Sequence, residues 1–398
     1  AAIFAIAVLV RLANFDHDPI TDELYHILAA LSWNETGRLA IADGEYSRGA
    51  LFTWMLAAVA RVFGNDLQAM RVFCVLIGSG LVTAVFLGMR WIAGRSEGWI
   101  AGLMLAFMPG AIFLSQYIRF YSLHTLFFWL AAICIYGAYF SSADQTRKRL
   151  VLSGSAALLL VVSFHLQITT AIGIVGVLVW LILENSGRLV SFFLRLSKQK
   201  QWIVIGTAAL AVSIFVLLLF GPLKPIVNMY RWSPAWSAND QPLYYYFLYR
   251  TQYGWLFALW PLAFVVSLCA KRAPALFLGT VFVVGSLLQS FGGVQAERFN
   301  FYTMPFFVGV LAIAGAQLIV NMRRALRERL AVYSRSSVTA PRVNAATTAI
   351  LVAAFGFAIF STPAAELSAK MILDQRISLR GVDRNLYWSR YSTSWTEA

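Results

Sequence analysis

Long apolar segments recur along nearly the whole chain and constrain its fold more than any other feature. Runs of roughly 20 residues, the length that an α-helix needs to cross a bilayer, follow one another from the first residue to about residue 361. Of the 398 residues, 60% are hydrophobic and only 13% are charged, about half the charged share of soluble domains. The sequence therefore predicts an all-α polytopic membrane protein and excludes a soluble multidomain enzyme.

Eleven transmembrane helices are predicted, at residues 1–13, 72–89, 98–115, 121–140, 150–166, 168–183, 202–221, 254–270, 274–291, 303–321 and 344–361. The first has no basic leader and no small-residue cleavage site, so we interpret it as a span and not as a removed signal. The predicted transmembrane domain is residues 1–361, with a first outer loop at 14–71 and an aromatic outer loop at 222–253. Residues 362–398 form an outer tail, which we interpret as the start of a further domain.

Positive charge distinguishes the two sides of this predicted bundle. With the chain starting on the inner side, the inner loops contain 17 of the 32 lysines and arginines but only 4 of the 18 acidic residues, in agreement with the positive-inside rule. The net charge of +14 thus reflects membrane topology, and no nucleic-acid partner is predicted. The agreement requires residues 49–64 not to span. Their apolar part, 50–60, is short and ends at Arg61, which predicts an interfacial or re-entrant helix.

An acidic cluster follows the first predicted span. The stretch TDELYHILAALSW has apolar residues at helical spacing, with Asp22, Glu23 and His26 along the other side, so we predict an amphipathic helix that lies flat on the membrane. Asp18 or Thr21 can cap this helix. The cap places both carboxylates in the first turn, where the helix dipole favours ionised acids. Taken alone, the pattern is more typical of a capped and solvated surface helix.

Arginine and tyrosine side chains collect on the same outer side, near the ends of predicted spans. A cation at this depth suits a lipid phosphate, although a single Arg or Tyr there is also typical of headgroup contacts and aromatic belts. The residues are Arg48, Arg71, Arg119, Arg231, Arg250 and Arg298, with Tyr46, Tyr117, Tyr121 and Tyr302. Their combination with the carboxylates is what indicates a site.

Several short motifs, taken in order, resemble those of the GT-C membrane glycosyltransferases, in particular the protein O-mannosyltransferases and the bacterial lipid A aminoarabinose transferase. They are the acidic pair and two interfacial helices of the first outer loop, then LQAMRVFCVLIG, SQYIRFYSLHTLF and ERFNFYTMPFF, and they cover residues 1–320. The resemblance implies transfer of a sugar from a polyprenyl-phosphate carrier to a lipid, glycan or protein acceptor at the non-cytoplasmic face. It implies that Asp22 is catalytic with Glu23 beside it, and that Arg71 and Arg298 lie near the carrier phosphate.

Two positions depart from the family pattern. EYSRGALFTW stands where many members have His-Pro-Pro or Lys-Pro-Pro, and His124 stands where many have a second Asp. The donor sugar and the acceptor are therefore left open, and the second departure weakens the case for a metal.

The residues lead to the same chemistry. A polyprenyl phosphate departs without needing a proton, so one carboxylate that deprotonates the acceptor hydroxyl suffices, and Asp22 is the candidate. Arg48, Arg71 and Arg298 are candidates to stabilise charge on the leaving phosphate. A base on one face of the sugar and the lipid phosphate on the other predict inversion in a single displacement.

Further candidates for substrate binding lie at the outer boundary. His124 and His165 fall at the outer ends of predicted spans, where they suit hydrogen bonding to an acceptor. With His26 and Glu23 they offer the alternative of a metal site, but no HxxxH or HExxH spacing supports it, and we predict no cofactor. The substrate-binding candidates are Arg48, Arg71, Arg119, Tyr121, His124, His165, Arg298 and Tyr302.

Two other classes of function share some of these features. A lipid or lipid-linked-sugar flippase would also combine outer carboxylates with a basic boundary, but it should show internal repeats and charges in mid-membrane, which this sequence lacks. A non-catalytic lipid-binding subunit has no use for an acidic pair beside phosphate-binding arginines. The long aromatic segment at 228–255 suits a lid or sugar-stacking surface, and equally a lipid anchor.

The predicted sidedness can be measured by thiol labelling. In a cysteine-free background, a cysteine at Gly44 should react with an impermeant reagent added from outside, because the first loop is predicted to be external. A cysteine at Ser334 should react only after permeabilisation. Equal labelling of the two positions would contradict the eleven-span topology.

Overall fold

Helices make up nearly all of the structure. The computed structural model describes residues 1–15, 19, 21–42, 44–220, 243–292, 295–333 and 363–373. The α-helices in these ranges are α1 (Ala2–Leu12), α2 (Thr21–Thr36), α3 (Ala50–Phe63), α4 (Leu67–Ile92), α5 (Arg95–Phe107), α6 (Pro109–Gln116), α7 (Tyr121–Phe140), α8 (Thr146–Leu166), α9 (Thr170–Glu184), α10 (Ser186–Arg195), α11 (Lys198–Phe220), α12 (Tyr244–Tyr253), α13 (Trp255–Ala258), α14 (Trp260–Ala270), α15 (Arg272–Ser290), α16 (Glu297–Asn300), α17 (Met304–Tyr333) and α18 (Pro363–Leu373). Two 3₁₀ turns, Ala143–Gln145 and Phe301–Thr303, and one hairpin of β1 (Ala40–Ile41) and β2 (Gly44–Glu45) complete the set.

Five helices in the described ranges are long and apolar enough to cross a bilayer, and two bent helix pairs raise the number to seven if each pair is one span. The five are α4, α7, α8, α15 and the segment Glu297–Ala325, and the pairs are α5 with α6 and α9 with α10. The chain is therefore an integral membrane protein with the predicted all-α polytopic architecture. The total of eleven spans stays a prediction, because the last one, at 344–361, lies outside the described residues.

Two long helices organise the packing. Helix α4 packs against α1, α5 and α7, and α17 packs against α5, α14 and α15. Close approach of α4 and α7 depends on Gly88, where a Cβ atom would lie 2.9 Å from the Trp129 ring. The Trp129 indole N–H donates to the Ala84 carbonyl oxygen at 3.0 Å, so a polar group buried between the two helices is satisfied.

The predicted span at 98–115 is not one continuous helix. It consists of α5 and α6, which meet at an angle of 61°. Pro109 is the first residue of α6 and has no backbone N–H to donate, while Met108 before it is extended, with ψ 130°. The sequence prediction missed this break because it was based on hydropathy, which a proline within an apolar run barely changes.

Side chains from distant segments bind the carbonyl groups that the break leaves free. The Arg11 guanidinium, fully buried, donates to the Ala106 oxygen at 3.1 Å and to the Leu105 oxygen at 3.4 Å. The Ser368 hydroxyl of α18 donates to the Phe107 oxygen at 2.6 Å. Unpaired carbonyl groups are costly in an apolar environment, so these hydrogen bonds permit the bend between α5 and α6 inside the bundle.

The first outer loop folds as two helices joined by the hairpin. Helix α2 begins at Thr21, and the predicted Asp18 cap lies outside the described residues. Its polar side faces the protein, since Glu23 and His26 are fully buried, and Leu24 and Leu28 on the opposite side are exposed. The prediction identified the helix and its two sides. It did not anticipate that the polar side chains would be buried and hydrogen-bonded inside the protein.

Other predicted boundaries differ in detail. Helix α3 has 14 residues, is too short to cross a bilayer alone and agrees with the predicted segment 49–64. The predicted span at 254–270 is divided into α13 and α14, which meet at Leu259, and α9 bends by 55° into α10. Residues 222–242 of the aromatic loop are outside the described ranges, whereas 244–253 form α12.

The Arg11 contacts predict a measurable loss of stability. Arg11→Met keeps much of the side-chain volume but leaves the two α5 carbonyl groups without a donor, and each unsatisfied buried group costs about 1–3 kcal/mol. We expect a clear fall in the thermal unfolding midpoint of the purified protein in detergent. Arg61→Met, at an exposed position of α3, should leave the midpoint unchanged. Equal midpoints for both variants would contradict this account of the break.

Candidate active site

Asp22 is the partly exposed carboxylate at the centre of the candidate site. It lies in the first turn of α2, with 31% of its side chain exposed. Its Oδ2 atom is 3.6 Å from Nη2 of Arg298 and 3.9 Å from Nη2 of Arg119. Both distances exceed the roughly 2.7–3.2 Å of a direct hydrogen bond, so the two guanidinium groups attract the carboxylate without being locked to it.

Arg119 is held in place by neutral oxygen atoms. Its Nη1 atom donates to the Asp22 backbone oxygen and to the Tyr46 hydroxyl, both at 2.9 Å. Only 3% of the side chain is exposed. Tyr46 follows β2, and its backbone N–H donates to the Leu39 oxygen at 2.7 Å, so the hairpin positions this hydroxyl. Burial raises the pKa of Tyr46, although the positive charges of Arg119 and Arg48 act in the opposite direction. The raised pKa keeps the hydroxyl neutral.

Glu23 and Arg71 lie behind Asp22 as a fully buried pair. Their side chains have 0% exposure, with Nη2 of Arg71 3.6 Å from Oε2 of Glu23. The other Glu23 oxygen accepts the Ile118 N–H at 2.9 Å, and Nη1 of Arg71 donates to the Phe15 oxygen at 3.4 Å. Glu23, predicted as a catalytic residue beside Asp22, and Arg71, predicted near the carrier phosphate, therefore connect α2, α4 and the segment before α7 inside the protein.

Arg48 and Arg298 line the exposed side of the cluster over aromatic rings. The Arg48 guanidinium lies 5.8 Å from the Phe120 ring centre and 6.0 Å from that of Phe299, and Arg298 lies 5.3 Å from the Phe299 ring centre. Gly49 permits this packing. Its φ of +62° is in the left-handed region, and a Cβ atom there would be 2.6 Å from Phe120. Cations stacked on rings remain available to an anion.

His26 is part of the wall of the site. Its Nδ1 atom is 2.8 Å from the Thr53 hydroxyl, and its ring meets the edges or faces of Tyr46, Phe52 and Phe120. Burial and then the charges of Arg119 and Arg48 lower its pKa well below the usual range. A neutral, packed imidazole of this kind joins α2 to α3.

Tyr117 brings a hydroxyl group to the cluster that the sequence analysis did not select as a binding residue. Its side chain is 1% exposed, and its hydroxyl has no hydrogen-bond partner among the described residues. Burial raises the pKa of Tyr117 well above its usual range, and the charge of Asp22 raises it further. A neutral hydroxyl without a partner can donate to a ligand oxygen.

The remaining predicted residues divide between the cluster and its surroundings. Tyr121 is buried, and its ring contacts Phe120 and Phe299 at the cluster. His124, one turn deeper in α7, bonds the Thr170 hydroxyl through Nε2 at 2.9 Å, and its ring contacts Tyr302. His165 is exposed at the end of α8.

The site therefore brings Asp22, Arg48, Arg119, Tyr121 and Arg298 together, with Glu23 and Arg71 behind them and His124 and Tyr302 deeper. In the described part of the chain, no three His, Cys, Asp or Glu side chains are grouped in a way that could hold a metal ion. The suggested grouping of Glu23 and the histidines is not formed there.

The missed residues had weak signals in the sequence. Tyr117 belongs to a motif already selected, but nothing in the pattern separates it from a belt tyrosine. Glu297 stands directly before Arg298 in ERFNFYTMPFF, but between the predicted spans 274–291 and 303–321 an acidic residue is ordinary, and nothing indicated its burial. Tyr46 was named among the outer tyrosines but not as a substrate-binding residue, and Gln252 carries no signal, because polar residues are common in outer loops.

The fold is similar to those of two membrane enzymes of known structure. ArnT from Cupriavidus metallidurans bound to undecaprenyl phosphate is 14% identical, with a TM-score of 0.60 over 98% of this chain and 77% of that chain. The archaeal oligosaccharyltransferase AglB from Archaeoglobus fulgidus, in complex with an inhibitory peptide and a dolichol-phosphate, is 13% identical, with a TM-score of 0.63 over 93% of this chain and 55% of that chain. Both have the GT-C fold, so the expected GT-C-like fold is confirmed.

At the level of sequence, no protein-family model and no curated protein matches the chain. A structural likeness at this level of identity shows the fold alone.

The buried pair predicts strong energetic coupling between Glu23 and Arg71. Removing one partner of a buried ion pair costs about 3–5 kcal/mol, because the other charge stays buried without compensation. Glu23→Gln and Arg71→Met should therefore each lower the thermal midpoint, and the double variant should lose less than the sum. Asp22→Asn, at a partly exposed carboxylate, should unfold at nearly the wild-type temperature. Additive losses would contradict the pairing.

Proposed function

We propose that this protein is a glycosyltransferase that moves a hexosyl or pentosyl group from a polyprenyl-phosphate carrier to an acceptor hydroxyl. The acceptor belongs to a lipid, a glycan or a protein, and the reaction takes place at the non-cytoplasmic membrane face. In a bacterium this is the periplasmic side of the inner membrane. The GT-C-like fold supports this class of reaction, since ArnT and AglB bind undecaprenyl phosphate and dolichol-phosphate respectively.

The observation that carries the proposal is one partly exposed carboxylate surrounded by cations. Asp22 faces Arg119 and Arg298, and Arg48 is exposed beside them. A lipid phosphate needs positive charge, and an attacking hydroxyl needs a base. Both requirements are met within one cluster at the start of α2, beside the segment that enters α7.

In the proposed reaction, Asp22 is the general base. The acceptor oxygen attacks the anomeric carbon of the sugar while its proton moves to a carboxylate oxygen of Asp22. The bond between the anomeric carbon and the phosphate oxygen breaks, and the polyprenyl phosphate leaves with the electron pair. Attack and departure occur on opposite faces of the sugar, so the configuration inverts in one step.

Arg298 and Arg119 stabilise the leaving phosphate in this proposal, and Arg48 contributes from the exposed side. Arg119 is held through Nη1, and its Nη2 atom, 3.9 Å from Asp22, is the part proposed to contact a phosphate oxygen. The Nη2 atom of Arg298, 3.6 Å from Asp22, is proposed to do the same. The Tyr117 hydroxyl is available as a neutral donor. Charge stabilisation of this kind is strong at a membrane boundary, where the effective dielectric constant is low.

Glu23 and Arg71 support the site from behind. Arg71 has no exposed surface and contacts Glu23, so its proposed part is to hold α2 against α4. Glu23 in turn holds the Ile118 N–H, one residue before Arg119. Tyr121, His124 and Tyr302 remain proposed substrate contacts, the latter two for a group that reaches deeper than the phosphate. His165, which lies outside the cluster, remains a proposed contact for the acceptor. The proposal uses no metal or other cofactor.

The test combines identification of the product with a matched pair of variants. Mass spectrometry of envelope glycolipids and glycoproteins, with and without the gene, should show one lost sugar. Asp22→Asn should not restore it, because Asn keeps the volume but cannot accept the proton. The initial transfer rate with the carrier-linked sugar thus identified should fall by a factor of about 100 to 10,000.

Asp66→Asn is the control, since Asp66 is an exposed aspartate of the same outer loop that caps α4 and Asn also caps helices. It should restore the sugar fully. An envelope without any sugar difference would overturn the transferase function. Full transfer by Asp22→Asn would overturn the catalytic assignment alone.

A further inference from the structure

Glu297 is a second carboxyl group beside the candidate site, and the proposed reaction does not use it. It is the first residue of α16 and directly precedes Arg298. The two side chains point in different directions. Arg298 is 23% exposed and approaches Asp22, whereas Glu297 is 3% exposed and faces the interior.

The Glu297 carboxyl group has one direct partner in the described structure. Its Oε2 atom accepts a hydrogen bond from Nε2 of Gln252 at 2.9 Å, and its Oε1 atom has no hydrogen-bond partner among the described residues. Gln252 belongs to α12 and is itself buried. A buried carboxyl group with a single neutral donor is costly to keep, so packing alone does not explain its presence.

Space for this carboxyl group is provided by Gly110 of α6. A Cβ atom at Gly110 would lie 2.0 Å from Oε1 of Glu297, and the closest atoms around that position all belong to Glu297. The start of α6 therefore fits the carboxyl group and no larger side chain at position 110. Helix α6 leads directly into the segment that carries Tyr117 and Arg119.

Helix α12 also holds the backbone around α16. The Tyr245 hydroxyl donates to the Ala296 oxygen at 2.9 Å, and the Tyr249 hydroxyl lies 3.3 Å from Nδ2 of Asn300. With Gln252, these residues form one face of α12 at helical spacing. The short α16 is thus held at Ala296 just before it, at its first residue Glu297 and at its last residue Asn300.

We propose that Glu297 is a positioning residue that holds α16 between α6 and α12 so that Arg298 faces Asp22 and the lipid phosphate. A helix of four residues has little rigidity of its own, and its orientation depends on what its inward side chain binds. The inference rests on the proposed function of Arg298 as a phosphate ligand. It assigns Gly110 and Gln252 to the same positioning role, since both contact the Glu297 carboxyl group.

Binding of undecaprenyl phosphate to the full chain in detergent, titrated by native mass spectrometry, tests the proposal. Arg298→Ala should weaken binding about 10- to 100-fold through loss of a charge-assisted contact. Glu297→Ala and Gly110→Ala should each weaken it about 10-fold, because Arg298 is no longer held. Glu297→Gln keeps the volume and an acceptor oxygen and should bind within about twofold of wild type. Glu45→Ala, at an exposed glutamate of the hairpin, is the control and should bind like wild type.

The double variants separate positioning from general damage. Glu297→Ala combined with Arg298→Ala should bind no more weakly than Arg298→Ala alone, because nothing remains to be positioned. Gln252→Leu removes only the donor and should show a smaller loss that also disappears in the Arg298→Ala background. Additive losses, or wild-type binding by both Glu297→Ala and Gly110→Ala, would overturn the positioning role. Wild-type binding by Arg298→Ala would instead overturn the proposed phosphate contact.

Discussion

The buried contact between Glu23 and Arg71 is the interaction on which the site geometry depends. It joins α2 to α4, and the Oε1 atom of Glu23 accepts a hydrogen bond from the Ile118 N–H, next to Arg119. The adjacent carboxylates of Asp22 and Glu23 therefore have different roles. Glu23 faces the interior, and Asp22 is partly exposed. A fully buried charge is costly unless both partners of the pair are present, so this junction tolerates little change.

Much of the architecture was predictable because hydropathy locates the helices and the distribution of charge indicates which loops share a side of the membrane. The apolar run at 121–140 became α7 with the predicted bounds, and the short segment ending at Arg61 became the short α3. The grouping of Asp22 with Arg298 was also predicted, although 276 positions separate the two residues. The prediction grouped the two residues because both lie near the ends of predicted spans on the same side of the membrane.

The failures share a physical cause, which is that burial of polar groups depends on partners far away in the sequence. Periodicity identified the polar side of α2 but could not show that Thr53 and the Ile118 N–H would bind it. Hydropathy did not reveal the break at Pro109, and the side chains that bind the freed carbonyls, Arg11 and Ser368, come from distant parts of the sequence. Glu297 was not selected because the space for its carboxyl group is provided by Gly110, almost 190 positions earlier in the sequence.

Helix α18 gives the site a mechanical connection to the C-terminal part of the chain. It packs against both α6 and α12, the two helices that meet at Glu297, and its Met371 oxygen accepts a hydrogen bond from Asn14 at the end of α1. A force applied to residues beyond 362 would thus reach both supports of α16 at once, without passing through the hairpin or α3. Whatever binds or pulls on that end of the chain has a short route to the orientation of Arg298.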